Sequence, residues 1–300
     1  DRAAPDGSGL LPAVPVTAGL REVGALGLAG PRARLAGLAR AVLAQLTALH
    51  SPDSLEIVLI AADRSRSLEE RTAEWSWLGW LPHVRPGHGQ DCRLLLAHDR
   101  EQAAARTEEL TRRLEDQLAD AAPASGPAGS VGVPAGSSVS GGGPQSTGTA
   151  ASPDHSVPAA RRPSWARDDD AGADAAAGFP GPYTVVVVDG DPGGADLREA
   201  VARLALEGPR AGIHVVCLAE TAAASPASPV TETYEAACAV APTFRQCGAV
   251  ALLSGDVATA LRLMRVARVG GDGSPPGPVG HGTVATVDAV SAAWAERFAR

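Results

Sequence analysis

The stretch Val23–Ala61 constrains the fold more than any other part of the chain. It reads as an apolar strand (Ala25–Ala29), a tight turn at Gly30-Pro31, one long amphipathic helix and a second apolar strand (Glu56–Ala61). In the helix Leu35, Leu38, Val42, Leu46 and Leu49 recur at steps of 3, 4, 4 and 3, a single stripe that faces a sheet. Ser51-Pro52-Asp53 stops that helix. The near-continuous apolar run that follows suits a strand covered on both faces. At the start of such a helix, free backbone N–H groups and the helix dipole favour an anion.

Apolar and amphipathic segments alternate along much of the remaining chain. Cys92–Ala97 reads as a third strand. Asp99–Ala119 reads as a helix with Leu110, Leu114 and Leu118 on one face. On its solvated side Glu108 with Arg112 and Glu109 with Arg113 form i,i+4 pairs, each adding a few tenths of a kcal/mol. Tyr183–Asp189, with four consecutive valines, is the clearest strand. Asp196–Glu207 follows as a helix with Leu197, Val201 and Leu204 inward. Gly212–Ala219, Ala249–Leu253 and Thr283–Val287 read as strands, and Asp256–Arg265 and Val290–Arg300 as helices. Gly270–Gly282 reads as a loop, and Val14–Val16 as a short edge strand that Pro15 keeps out of a sheet centre. Strands alternating with helices predict an α/β fold with a mostly parallel sheet and helices on both faces.

Residues 1–12 are linker-like. From about 121 to 182 Ala, Gly, Pro and Ser dominate, with too few large apolar residues to offset the entropy of ordering. Strand patterns resume beyond it. The expected division is therefore one α/β domain in two parts, 13–120 and 183–300, around a disordered insertion at 121–182. Within it Arg161, Arg162 and Arg167 around Trp165, followed by Asp168–Asp170, read as a docking motif or a solvated linker.

Composition narrows the function classes. A formal net charge of −8 and a pI near 5.4 offer no diffuse basic surface for nucleic acid or an anionic membrane. All 26 residues in the Lys+Arg count are arginine, so chemistry that needs an ε-amine is excluded. The four cysteines are scattered, which argues for free thiols rather than a disulfide framework. No apolar run approaches the roughly 20 residues of a membrane helix, and no signal peptide is visible. A chain that opens at Asp1 and closes on a helical pattern is expected to be an excerpt from a longer protein.

The turn at Gly30-Pro31 has the outline of a phosphate loop without its chemistry. Such a loop needs a glycine-rich backbone, a lysine for the β- and γ-phosphates and a hydroxyl for magnesium. Laid on Gly27–Arg34, that frame finds only Gly27 and the general shape. It puts Arg32 at the second glycine of the frame, Ala33 at the lysine and Arg34 at the hydroxyl. Pro31 also removes an N–H. Arg32 and Arg34 read either as anion-binding forks or as solvated cations that oppose the helix dipole. Asp189, ending the valine strand, is placed like a magnesium-binding acid, and Gly190 stands where a water-activating glutamate would follow. Three losses together predict a vestigial nucleotide site.

Elsewhere, Trp75, Trp77 and Trp80 with His83 form a tryptophan-rich segment, EWSWLGWLPH. It reads as a stacking platform or, without basic neighbours, as a packed plug or partner-contact patch. His83, His88 and Cys92 have a spacing open to zinc but lack an evident fourth ligand. Ser254 and His281 lack an orienting acid.

LREVGALGLAGPR with its helix, ALHSPDSLEIVLI, EWSWLGWLPH, YTVVVVDG, EGPRAGIHVVCLA and VSAAWAERFAR together resemble actinobacterial FtsK/SpoIIIE-type proteins, similar to the EccC ATPases of type VII secretion. The resemblance implies a RecA-like three-layer sandwich, here a degenerate module upstream of the true motor domains, in which Gly27, Gly30 and Asp189 match the motor's loop and acid. It further implies a membrane-associated parent protein on the cytoplasmic face of the cell membrane, with ATP and Mg2+ in its motors. Its partners would be the adjacent motor domains, other copies of itself, and a protein or DNA cargo. For this segment it implies no cofactor of its own and no direct membrane contact.

Overall fold

The computed structural model describes residues 14–87, 89–121, 179, 181–225, 228–255, 259–267 and 277–300. Contacts divide the chain into two compact units, Asp1–Ala121 with Phe179–Arg300, and Ala122–Gly178. Every described residue belongs to the first. The insertion expected at 121–182 therefore falls outside the described residues except at its ends, as does the motif around Trp165.

In chain order the elements are α1 (Leu20–Val23), β1 (Ala25–Gly30), α2 (Arg32–Leu49), β2 (Leu55–Ile60), α3 (Leu68–Trp75), β3 (Leu96–Ala97) and α4 (Arg100–Ala121). The second half adds β4 (Tyr183–Asp189), α5 (Ala195–Glu207), β5 (Ile213–Glu220), α6 (Val230–Val240), β6 (Ala249–Ser254), β7 (Ala260–Ala267), β8 (Gly277–Thr286) and α7 (Ala292–Ala299). They build an eight-stranded sheet in the order β3-β2-β4-β5-β1-β6-β7-β8. The first six strands in that order run parallel, and β7 and β8 close one edge as an antiparallel hairpin.

Strand alternation divides the core into two layers. Leu26, Leu28, Ile57, Leu59, Val185, Val187, Val216 and Leu218 point to the face covered by α2, α3 and α7. Ala25, Ala29, Val58, Ile60, Val186, Val188, Val215 and Cys217 point to the face covered by α4, α5 and α6. This is the three-layer α/β sandwich with a mostly parallel sheet that the sequence predicts.

Several elements depart from expectation. The helix expected at Asp256–Arg265 gives way over its described residues to a strand: residues 260–267 form β7, in register with β6 from Ala249 opposite Arg265 to Ser254 opposite Ala260. The Ala-Leu-Arg-Leu-Met pattern also fits a helix. Pairing with the otherwise bare edge of β6 satisfies a whole row of backbone groups and decides the outcome. The loop expected at Gly270–Gly282 contributes its last residues to β8. The strand expected at Cys92–Ala97 shrinks to Leu96–Ala97, and Val14–Val16 carries no strand. On α2 the buried stripe runs through Leu35, Leu38 and Leu43, while Leu49 is 71% exposed at the helix end. Helix α6, Ala- and Thr-rich and weakly patterned, was not expected.

Candidate functional site

The site lies at the C-terminal ends of the parallel strands, where β1 passes into α2 and β4 ends at Asp189. Strand β1 stays in the sheet through Gly30, and Pro31 alone separates it from α2. No loop is left to wrap a phosphate. Gly27 is paired on both sides, with Cys217 of β5 and Val250 of β6. A Cβ on it would lie 2.6 Å from the Phe244 ring, and one on Gly30 would lie 2.5 Å from Leu253 Cβ. Both glycines make room for packing. Both belong to the turn read from the sequence as the remnant of a phosphate loop. Arg34 is exposed in the first turn of α2 and stands apart from the cluster that its neighbour joins.

Arg32 turns inward. Because β5 lies between β1 and β4, its guanidinium reaches across the end of that strand to Asp189. It donates from Nη1 to Oδ1 at 2.6 Å and from Nη2 to Oδ2 at 2.7 Å, a bidentate fork. Its Nε donates to Glu74 at 3.2 Å, and its Nη2 also contacts Glu74. Arg66 makes the same two connections, to Glu74 at 2.6 Å and to Asp189 at 2.5 Å. The Trp75 indole N–H donates to Asp189 Oδ2 at 2.7 Å. Arg40 approaches Glu74 at 4.0 Å.

Local sequence explains how α3 delivers two of these groups. Ser67 caps the helix: its Oγ accepts from the Glu70 N–H at 3.2 Å, and the Glu70 carboxylate accepts from the Ser67 N–H at 2.9 Å. Glu69 and Glu70 in the first turn suit the dipole. Glu74 and Trp75 then sit at the opposite end, over Asp189, while Arg66 lies just ahead of the cap. Arg71, buried on the same helix, donates to the backbone carbonyl of Asp63 and anchors the segment after β2.

The electrostatics are those of a closed ion cluster. Asp189 is 1% exposed. Burial alone would push its carboxyl up, but the Arg32 hydrogen bonds and charge, the Arg66 charge and the Trp75 N–H together hold it below the usual carboxylate range. Burial likewise works against the Arg32 cation, and Asp189 and Glu74 raise it above its ordinary value. A cleft of about 570 Å3 opens beside the cluster. Its two arginines, Arg32 and Arg66, are already bound to acids, and Asp63, Glu70 and Glu220 line the remainder. What faces solvent there is net negative. Gly190, at φ 78°, has no space for a side chain: a Cβ would lie 2.1 Å from Asp63 Oδ2. A glutamate at this position would be strained by the left-handed backbone and would displace the Asp63 carboxylate.

The tryptophan-rich segment divides. Trp75, Trp77 and His83 are buried, His83 with its Nε2 2.8 Å from the His50 carbonyl. Of the segment read as a packed plug or a partner-contact patch, Trp80 is the exposed tryptophan, at 53% and beneath the Arg300 guanidinium at 4.5 Å. Of the zinc candidates, His88 lies outside the described residues and Cys92 accepts from Arg106 at 2.9 Å. No group of three metal-ligating side chains occurs among the described residues.

Comparison with known proteins finds similarity to ESX secretion system proteins. No family model matches it. It is 39% identical over 69 residues to the ESX-4 secretion system protein EccC4 of Mycobacterium tuberculosis, covering 23% of this chain and 5% of that protein. It is 34% identical over 85 residues to the ESX-5 secretion system protein EccC5 of Mycobacterium marinum, covering 27% and 6%. Among solved structures, EssC (ATPases 2 and 3) from Geobacillus thermodenitrificans superposes with a TM-score of 0.50 at 9% identity, over 93% of this chain and 43% of that one. The chain thus spans 5% to 6% of the length of these sequence relatives.

Proposed function

We propose that this chain, whose relatives are the EccC proteins of type VII secretion, is a non-catalytic RecA-like module that serves the assembly or regulation of neighbouring motor domains. The observation that carries this reading is the Arg32 fork on Asp189. The acid that would hold magnesium is spent on two guanidiniums and an indole N–H of the chain itself. Beside it, β1 runs into α2 without a loop, and the free lining of the cleft is acidic. Triphosphate binding would bring negative charge to a negative surface, with no lysine and no loop amide row to receive it, and with Ser65 the hydroxyl in a lining of mostly acids. These residues do not fit a magnesium nucleotide.

The wider reading follows from kinship. The whole protein is an ATP-driven translocase whose motors bind ATP and Mg2+ and whose cargo is protein or DNA. It works as an oligomer at the cytoplasmic face of the cell membrane. No helix of the described residues is long and apolar enough to cross a membrane. DNA contact by this segment finds no support in a chain of net charge −8.

Isothermal titration of the 300-residue chain with MgATP tests the central claim. The expected result is no saturable heat up to about millimolar ligand, a ceiling near −4 kcal/mol. Micromolar binding that Asp189→Ala abolishes would overturn it in favour of an ATPase completed by a neighbouring subunit.

A further inference from the structure

The ion cluster joins parts of the chain that are otherwise separate loops. Arg32 belongs to the start of α2, Arg66 to the connection after β2, Glu74 and Trp75 to the end of α3, and Asp189 to the end of β4. All four parts meet on one pair of carboxylates. Glu74 and Asp189 are each bridged by both guanidiniums, so the four groups form a closed ring rather than two separate pairs. Two guanidiniums between two carboxylates carry the same charge as one divalent cation in that place. In nucleotide-driven switches, phosphate and its metal tie such loops together, and the loops loosen when the ligand changes. Here the tie is covalently part of the chain.

We propose that Arg32 and Arg66 are a built-in occupant of this site, which holds the module in one closed arrangement regardless of any ligand. The inference rests on the non-catalytic reading above and adds a claim about regulation: the module has no loaded and unloaded states to alternate between. Neighbouring domains that contact the ends of β1 and β4 meet a fixed surface. Helix α3 is the element most directly held, because its two contributions, Glu74 and Trp75, both lie within the ring or against it.

Hydrogen–deuterium exchange on the 300-residue chain tests this, with and without MgATP, alongside Arg32→Gln/Arg66→Gln. In the unaltered chain the amides of Asp63–Trp75 and Asp189–Gly194 should exchange slowly and be indifferent to MgATP. In the double variant they should exchange about 10-fold faster or more, while β5 stays protected, because local opening is released without global unfolding. Arg66→Lys, which keeps the charge but not the two-pronged bridge, should exchange at a rate between those of the unaltered chain and Arg66→Gln. Should the double variant not fold, Arg66→Gln alone is read in the same way, since Arg32 still covers Asp189 there. Unaltered exchange in the glutamine variants, or exchange in the unaltered chain already at the free-peptide rate, would overturn the proposal and leave the non-catalytic reading standing. Slowing of these amides by MgATP, with saturable heat on titration, would overturn both.

Discussion

Gly27 can be glycine for either of two reasons, and they predict different behaviour. In a phosphate loop its replacement would affect ligand binding. Here a methyl group would press into the Phe244 ring at 2.6 Å, so Gly27→Ala should destabilise by about 1–3 kcal/mol through overpacking. Urea unfolding would measure the loss, and Phe244→Leu in the same background should recover part of it, as expected for residues in contact. Asp189 is the more consequential position. Asp189→Asn leaves two guanidiniums facing an amide at a buried site, and should cost about 3–5 kcal/mol. The pH dependence follows from the signs of the shifts. Asp189 ionises more easily in the fold than in the unfolded chain, so its contribution is complete above the usual carboxylate range and is lost as pH falls towards its lower folded value. His98 and His214 are depressed too, chiefly by burial and further by Arg71 and Arg21 respectively. Their stabilisation begins to disappear earlier, as pH drops through about 6.5. Denaturant midpoints followed from pH 8 downward should therefore show two acid limbs, and Asp189→Asn should remove part of the lower one only.

Helix α3 is short, and its cap carries much of its definition. Ser67→Ala removes the acceptor for the Glu70 N–H and should cost about 1 kcal/mol. Trp75→Phe keeps an aromatic ring but leaves part of the indole's space empty and deletes the N–H on Asp189; the lost bond to a charged group alone should cost about 1.5–3 kcal/mol, and the cavity adds to it. Both are measurable by denaturant unfolding, and both should leave the sheet intact by circular dichroism. Neither the Ser67-x-x-Glu70 cap nor the part played by Glu74 stood out in the sequence. Asp189 and Arg32 stood out as motif positions, yet 157 residues separate them, and local pattern carries no record of a bond across that distance. Elements buried on both faces, such as β1, β2, β4 and β5, were plain because an unbroken apolar run has few other uses. Strand β7 was misread because Leu261, Arg262, Met264 and Arg265 satisfy either period. Its identity is decided by β6 and β8, that is, by partners rather than by its own residues. Arg113 illustrates the same limit on a helix: expected on the solvated side of α4, it bonds Glu56 at 2.7 Å and Thr184 at 2.9 Å at the start of the sheet.

The compact unit joins two lengths of chain that are far apart in sequence, and its stability should depend little on what connects them. On one side of the junction α4 is seated through Leu110 and Leu114, both buried against the sheet. On the other, Phe179 meets the Tyr183 ring edge-on at 5.9 Å and packs where Gly212 has no side chain. Both ends of the connection are therefore anchored within the same core. The entropy of closing a connection grows only with the logarithm of its length, about 0.6 kcal/mol for each doubling. Replacing residues 122–178 by about a dozen Gly and Ser residues, long enough to span without strain, should stabilise the unit by roughly 1 kcal/mol. For a unit of this size that corresponds to a rise in Tm of about 2–4 °C, with one cooperative transition retained. Differential scanning calorimetry of the shortened chain would show it. A fall of more than about 5 °C would mean that the replaced residues contribute to the core, and the division into one interrupted domain would have to be redrawn.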